Sequence, residues 1–392
     1  MRRKIIIIGA GASGLMAAVS AAEHGADVLV LEHMESAGKK LLLTGAGRCN
    51  YTNTDVDARH YHSLEETSAL FSDAGHEGRS GCTAAEFVSG VLRSFSCEDC
   101  IGTFRRLGIE PGIKHYRFDE TGYVYPEDKN AGDVLAALLK RTNELDVKIF
   151  YGIKLSSIRP AVDTGWEICF HMPEHGHTVS HCERCSSVIL AAGSNAYPDT
   201  GSDSSLYPFI KELGLQFQSF LPALCALYSK DGILKELKGM RKDGRATLIV
   251  SKDCAPSSEE ATFIASESGE IQFNEHSISG IPVMQLSGTA SAALKAGKKV
   301  FLQIDISAGD PFHHTFAVHR TAGFERSQCC AGGIALTEID PRDMQSRKHP
   351  GLYVCGELLD IHGDCGGYNL HFAWASGRIA GLSAAGHHKD LY

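Results

Sequence analysis

The segment KIIIIGAGASGLMAAVSAAEHGADVLVLE, residues 4–32, leaves this chain few folds to choose from. Four consecutive isoleucines, Ile5–Ile8, are too uniformly apolar for a strand with one wet face, and they predict a buried strand of a parallel sheet. Gly9, Gly11 and Gly14 follow in the spacing G-x-G-x-x-G, and Leu15, Ala18, Val19 and Ala22 then share one helical face. Gly25 ends that helix, Val28–Leu31 reads as the next strand, and Glu32 stands at its tip. The glycines allow a tight turn, backbone approach to a pyrophosphate, and close packing of helix on strand. Phosphates would sit at the helix start, around Ala12 and Ser13, where unpaired N–H groups and the dipole favour negative charge. Glu32 would accept hydrogen bonds from the hydroxyls of an unphosphorylated adenosine ribose. From these residues alone NAD and FAD fit equally, and a glycine-rich turn without ligand is the bland alternative.

Composition narrows the field. A chain of 392 residues can bury a large core and is expected to form two domains. The formal charge of −9, with no basic run interleaved with aromatics, argues against a nucleic-acid partner. No stretch approaches the roughly 18 apolar residues of a membrane span, and the apolar start is needed by the βαβ unit rather than by a leader. A cytoplasmic protein is expected. Thirteen cysteines, an odd number at scattered spacings, suggest reduced thiols rather than a disulfide framework. Two C-x-x-C pairs, Cys97/Cys100 and Cys182/Cys185, would make a zinc set by count. The first is expected inside an amphipathic helix and the second after a hairpin holding His171, His175, His177 and His181, so no metal is expected. Neither pair is expected to open a helix as a redox dithiol would.

Residues 36–53, SAGKKLLLTGAGRCNYTN, bring Lys39, Lys40, Gly45, Gly47, Arg48, Cys49 and Asn50 into one short loop. Cations and free backbone N–H groups suit phosphates or the polar edge of a ring. With GAGASGLMAA, this second motif resembles a family of FAD-dependent oxidoreductases that includes aminoacetone oxidases and the BaiN-type reductases of bile-acid dehydroxylation. The resemblance implies FAD as the bound cofactor. It places the backbone near Leu155 against the adenine, and Ala192 and Gly193 where the strand SSVIL meets the cofactor. Its second FAD motif is GLYVCGELLDIHGDCGGYNLHFAWASGRIAG, 351–381, with Gly356, Glu357, Asp364, Gly366, Gly367, Tyr368, Asn369 and Leu370. Here a helix predicted to start near Asn369 would point its N-terminus at the flavin N1–C2=O2 edge, where negative charge gathers on reduction. Asp360 or Glu357 would meet the ribityl hydroxyls. This chain departs from the family pattern at Tyr123, where arginine is usual, at Ala192 for threonine, at His371 for glutamine, and at 201–207, where two glycines are missing.

The expected architecture is α/β: a Rossmann-like FAD domain from 1–200 and 333–392, a parallel sheet between helical layers, with a β-rich substrate or cap domain inserted at 201–332. Helices are predicted over Thr83–Gly108 and from Ala131, a single strand over Val147–Ile158, and a hairpin around residues 173–176. The segment between Asp305 and Ala331 is shorter than the family's usual helical stretch. The expected activity is hydride transfer through flavin N5, most simply NAD(P)H-linked reduction of an enone-like C=C bond. An oxygen-using aminoacetone-type amine oxidase and a flavin-binding redox sensor are the other readings. Absence of a second G-x-G-x-x-G means that NAD(P)H would have no domain of its own. His371, Tyr368 and Cys365 are the catalytic candidates, with His362 a further acid/base group.

Overall fold

The computed structural model describes residues 2–71, 82–116, 119–163, 165–174, 176–252, 261–306 and 311–387. His175 of the histidine-rich hairpin and part of the stretch between Asp305 and Ala331 lie outside the described residues. A five-stranded parallel sheet forms the base, in the order Leu352–Val354, Ser187–Leu190, Lys4–Ile8, Asp27–Leu31 and Lys148–Phe150. The isoleucine strand is central: Ile5 pairs with Val28 on one side and with Ser187 on the other. Its side chains are almost wholly buried, as a strand covered on both faces requires. The first helix, Ala12–Glu23, packs along the closing helix, Tyr368–Ala385.

Two glycines of the closing helix make that contact close. A Cβ on Gly377 would stand 2.3 Å from the Ser13 carbonyl oxygen, and one on Gly381 would stand 2.4 Å from that of Ala17. One turn apart on the same face, they let the two backbones touch. The closing helix is buried on nearly every side, which matches its almost continuous small and apolar sequence.

Above this layer sits a closed antiparallel barrel of six strands, running from Leu227–Ser229 to Phe312–Thr321. Alternate residues such as Leu248, Ile271, Phe273, Leu302, Ile304 and Phe316 fill a core separate from that of the parallel sheet. The helix Ile281–Lys295 packs against several barrel strands. Chain enters and leaves this region through paired strands, Phe217–Ala223 and Cys329–Ile334.

Four sequence expectations are corrected. The single helix over 83–108 is two, Ala84–Leu92 and Cys97–Arg106, because Ser96 and Asp99 form a capping box that starts a new helix. Cys97 therefore does open a helix. Both thiols of that pair are buried, and burial pushes them above the ordinary thiol range. The strand expected over 147–158 breaks at Gly152, whose φ is +68°. There the Gly152 and Ile153 N–H groups donate to the Met34 and Glu32 carbonyls, so Lys148–Phe150 stays in the parallel sheet while Lys154–Pro160 joins another. The thiols are not all reduced, since Cys169 and Cys182 face each other across the hairpin and form a disulfide. Among the described residues no helix is long and apolar enough to cross a membrane.

Candidate cofactor and substrate site

The turn after the first strand behaves as its glycines demand. Gly9 takes a φ of +105°, and a Cβ there would lie 2.6 Å from the Ala191 carbonyl oxygen. A Cβ on Gly14 would meet the Gly9 carbonyl at 2.0 Å, whereas one on Gly11 would meet nothing within 4 Å. Gly9 and Gly11 thus line open space and Gly14 packs beneath them. Gly11 caps the first helix with no side-chain hydrogen bond, so its leading N–H groups stay available to an anion. At the neighbouring strand tip, Glu32 is 7% exposed and fixed through both oxygens. It accepts from the Ala10 N–H at 2.7 Å and from the Met34 N–H at 2.9 Å, and its carboxylate borders the cavity.

The 38–50 loop passes over this turn. Ala46 and Cys49 have φ of 55° and 58°, a left-handed backbone that costs non-glycine residues energy and clusters at functional sites. Lys39, Lys40, Gly45, Arg48 and Asn50 line the cavity, while Gly47 and Cys49 do not. Cys49 is fully buried, and burial pushes its thiol to about 12, so it supports the loop from below. Lys40 is ion-paired with Glu357, and Ser194 donates to the same carboxylate oxygen at 3.1 Å. Burial alone would lower the Lys40 ammonium; Glu357 outweighs it and keeps the charge. Arg48 lies over the Tyr125 ring at 4.9 Å.

A second uncapped helix start opens into the same cavity. Gly367, at φ +95°, precedes the closing helix and has no side-chain cap. A Cβ there would fall 2.5 Å from the Thr52 carbonyl oxygen and 2.9 Å from Asn50 Oδ1. Asp364, Cys365, Gly366, Gly367, Asn369 and Leu370 line the wall here, with Leu155, Ala192, Gly193 and Glu357 between the two helix starts. Among the described residues, Asn50 Oδ1 is a buried acceptor with no hydrogen-bond partner. The cavity holds about 1210 Å³, above the ~300–1,000 Å³ typical for a drug-sized ligand. It continues from the glycine turn to an end shared with the barrel region, where Leu206, Phe209, Leu224, Ile281 and Met284 stand among Arg241, Glu270, Gln272 and Gln328.

Other expected residues lie elsewhere. His371 is fully buried behind the wall, between the Thr52 hydroxyl at 2.7 Å and the Phe95 carbonyl at 3.0 Å. Its Nε2 must donate to the carbonyl, so Nδ1 accepts from Thr52 and the ring is neutral. Burial lowers it to about 4, and it is a core residue rather than an acid/base group. Tyr368 is likewise off the wall, 1% exposed, its ring stacked on His60 at 4.3 Å. His362 is buried and lowered to about 3. Gly356 packs against Ser13 rather than facing the cavity. Asp360 does not reach the ribityl region either: it is buried and accepts from the Leu64, Glu65 and Gly332 N–H groups. Of the three catalytic candidates only Cys365 borders the cavity, and burial pushes its thiol to about 12.

Sequence reasoning missed Tyr123, Tyr125, Ser194 and the apolar residues from the barrel region. The Tyr123 hydroxyl donates to the Cys365 carbonyl at 3.5 Å. Asn53 Nδ2 donates to the Gly366 carbonyl at 2.9 Å. These contacts join residues hundreds of positions apart, and no local pattern signals them.

Two helix starts without side-chain caps, a buried acid at the second strand tip and an unpaired amide acceptor near the second helix fit an extended dinucleotide. The fold and site define an FAD-dependent oxidoreductase with a Rossmann-like domain. The chain belongs to the HI0933-like Rossmann family, whose model matches residues 3–383. It is 29% identical over 447 aligned positions to the 3-dehydro-bile acid delta(4,6)-reductase of Clostridium scindens, covering 97% of this chain and 99% of that protein. It is also 25% identical to the ribosomal RNA dihydrouridine synthase of Haemophilus influenzae, covering 96% of this chain and 97% of that one. Among solved structures, the 3-ketosteroid delta1-dehydrogenase of Sterolibacterium denitrificans shares the fold, with a TM-score of 0.55 at 12% identity over 98% of this chain and all of that one. The 3-ketosteroid-delta4-(5alpha)-dehydrogenase of Rhodococcus jostii RHA1 does so with a TM-score of 0.52 at 16% identity, covering 98% of this chain and 97% of that one.

Proposed function

We propose that the protein is an NAD(P)H-dependent reductase that saturates a C=C bond conjugated to a carbonyl, in an apolar small molecule of the bile-acid or steroid type. One observation carries this reading: the Asp364–Gly367 loop and the apolar residues Leu224, Ile281 and Met284 line one continuous cavity. An apolar substrate would thus lie beside the loop that faces the flavin edge. FAD, when bound, supplies hydride transfer at N5. Gly9–Ser13, Glu32 and the 38–50 loop would hold its adenosine and phosphates, with Leu155 at the adenine. Lys40, Glu357, Ala192 and Gly193 would hold the middle, and Asp364, Gly366–Leu370 and Asn50 the ring edge. The division into a FAD domain, 1–200 with 333–392, and a covering domain at 201–332 belongs to the same reading. NAD(P)H would use the substrate face, leaving before the enone enters.

The two curated relatives bear on this chemically. The uracil C5=C6 bond is conjugated to a carbonyl, so dihydrouridine formation and enone reduction ask the same of a site. The dihydrouridine relatives therefore motivate a second reading, RNA as the source of the conjugated bond. The formal charge of −9 favours the small molecule. The test is an anaerobic half-reaction screen of the yellow holoenzyme. Bleaching by NADH or NADPH and recovery of the flavin band with a 4-ene-3-keto steroid is the expected result. Recovery only with uridine-containing RNA would transfer the activity to the second reading. Peroxide formation with an amine would make it an oxidase, and no bleaching by either nucleotide would leave a flavin-binding sensor.

A further inference from the structure

We propose that His62, Asp364 and His60 form a proton relay that delivers a solvent proton to the α-carbon of the substrate, an assignment that rests on the enone-reductase reading. Saturating C=C–C=O places a hydride on the β-carbon and leaves an electron pair that must take one proton at the α-carbon. The chamber therefore needs a group at its wall that passes a proton on from water. The buried histidines fail this requirement. His371 and His362 are off the wall and held neutral by burial. Asp364 meets it. Asp364 borders the cavity, with Oδ1 hydrogen-bonded to His62 Nε2 at 2.9 Å and Oδ2 to His60 Nδ1 at 3.1 Å.

Backbone pairing fixes this geometry. His362–Gly363 pairs with Tyr61–His62, and the Asp364 N–H donates to the His60 carbonyl at 2.9 Å. Solvent access grades along the chain of groups, from 45% for the His62 side chain to 19% for Asp364. For His60, burial would lower the imidazole, but its hydrogen bonds to Asp364 and Asp55 outweigh that and raise it. Asp55 lies 3.3 Å from His60 Nε2, and Glu267 reaches the cluster from the barrel. Arg59 and neutral His362 are the opposing or silent members. For Asp364, burial would raise the carboxyl, but the two histidine hydrogen bonds outweigh it and hold it at about 2. It is a base strong enough only to pass a proton, not to keep one. In the balanced step the His62 imidazolium N–H bond breaks, its proton crosses Asp364, and a C–H bond forms at the α-carbon. Water then recharges His62.

The test is stopped-flow reoxidation of the pre-reduced holoenzyme by a 4-ene-3-keto steroid, for wild type, His62→Ala and His62→Gln, with FAD content measured for each. The expected result is a loss of at least ~100-fold in reoxidation rate. A wild-type rate that falls as pH rises is expected; both variants should lose that dependence, and added imidazole should restore His62→Ala. A structural role would give no imidazole rescue. Wild-type rate and pH profile in His62→Ala, with steroid reduction intact in wild type, overturn the relay alone. Failure of wild type to pass electrons to the steroid overturns the enone reading and the relay with it.

Discussion

Gly377→Ala tests the seam on which the nucleotide-binding turn is mounted. Within a helix this substitution ordinarily stabilises, by up to ~1 kcal/mol. Here the new Cβ would stand 2.3 Å from the Ser13 carbonyl oxygen, against the ordinary contact range of 3.4–4 Å. The two helices must separate by roughly 1 Å, which forfeits about a quarter to a half of each dispersion contact along the seam. Overpacking of this kind costs ~1–3 kcal/mol, occasionally more, so against a gain of up to ~1 kcal/mol the net effect is destabilisation by up to about 2 kcal/mol. Gly381→Ala, 2.4 Å from the Ala17 oxygen, should behave alike, and the double variant should lose more than either. Gly102→Ala is the control. Its Cβ would meet only Arg106 Nη1, at 3.8 Å, so a gain of roughly 0.5–1 kcal/mol is expected. Urea unfolding followed by the fluorescence of buried Trp374 gives the stabilities. Because Ser13 lies in the first turn of the helix proposed to hold the phosphates, FAD affinity should fall in Gly377→Ala and not in Gly102→Ala. A Gly377→Ala protein as stable as Gly102→Ala, or one with unchanged FAD affinity, would refute the reasoning.

Three further outcomes are expected. Glu32→Ala strands the Ala10 and Met34 N–H groups, each worth ~1–3 kcal/mol when buried and unpaired, and should weaken FAD binding at least ~10-fold in a fluorescence titration; unchanged affinity would remove Glu32 from the ribose. Burial lowers His371 to about 4 and His362 to about 3, so below pH 6.5 the unfolded chain binds protons that the folded chain refuses. Stability is then full above pH 6.5 and lost as pH falls toward 4, and His371→Gln should flatten that slope by up to ~1.4 kcal/mol per pH unit. Asp360, raised to about 6 by burial, acts in the opposite sense between pH 3.8 and 6, equally in both proteins. A slope unchanged by His371→Gln would show that the ring titrates normally. Reducing the Cys169–Cys182 disulfide, which spans 13 residues, should lower stability by up to ~3 kcal/mol. Coincident unfolding curves with and without reductant would argue that the hairpin holds itself.

Much of the site is legible locally because its demands are local. A backbone that must bend sharply, approach a phosphate or start a helix without a cap writes itself as glycine at a set spacing. Gly9, Gly11 and Gly367 are such positions. Ser96 and Asp99 carry an equally local signal, a capping box, which an unbroken helical reading of 83–108 overrides. The side chains expected to be catalytic are different. His371 and Tyr368 lie beside cavity-lining Asn369 and Leu370, yet helical geometry turns them inward, toward Thr52 and His60. One residue of phase along a helix separates the wall from the core. The sequence around 368–371 contains no sign of that phase, since both faces carry aromatic or polar residues.

The order of residues alone thus determines the βαβ start, the dinucleotide-binding turn and the acid at the second strand tip, because each follows from interactions within about thirty positions. The choice of which polar groups meet at the substrate end belongs to tertiary structure. Asp364 joins His60 and His62 only because a two-residue strand pairing brings loops three hundred positions apart into register. The substrate end of the cavity exists only where residues of the barrel region and of the sheet domain line one space. Such encounters depend on the packing of two separate cores, and no periodicity within either segment encodes them.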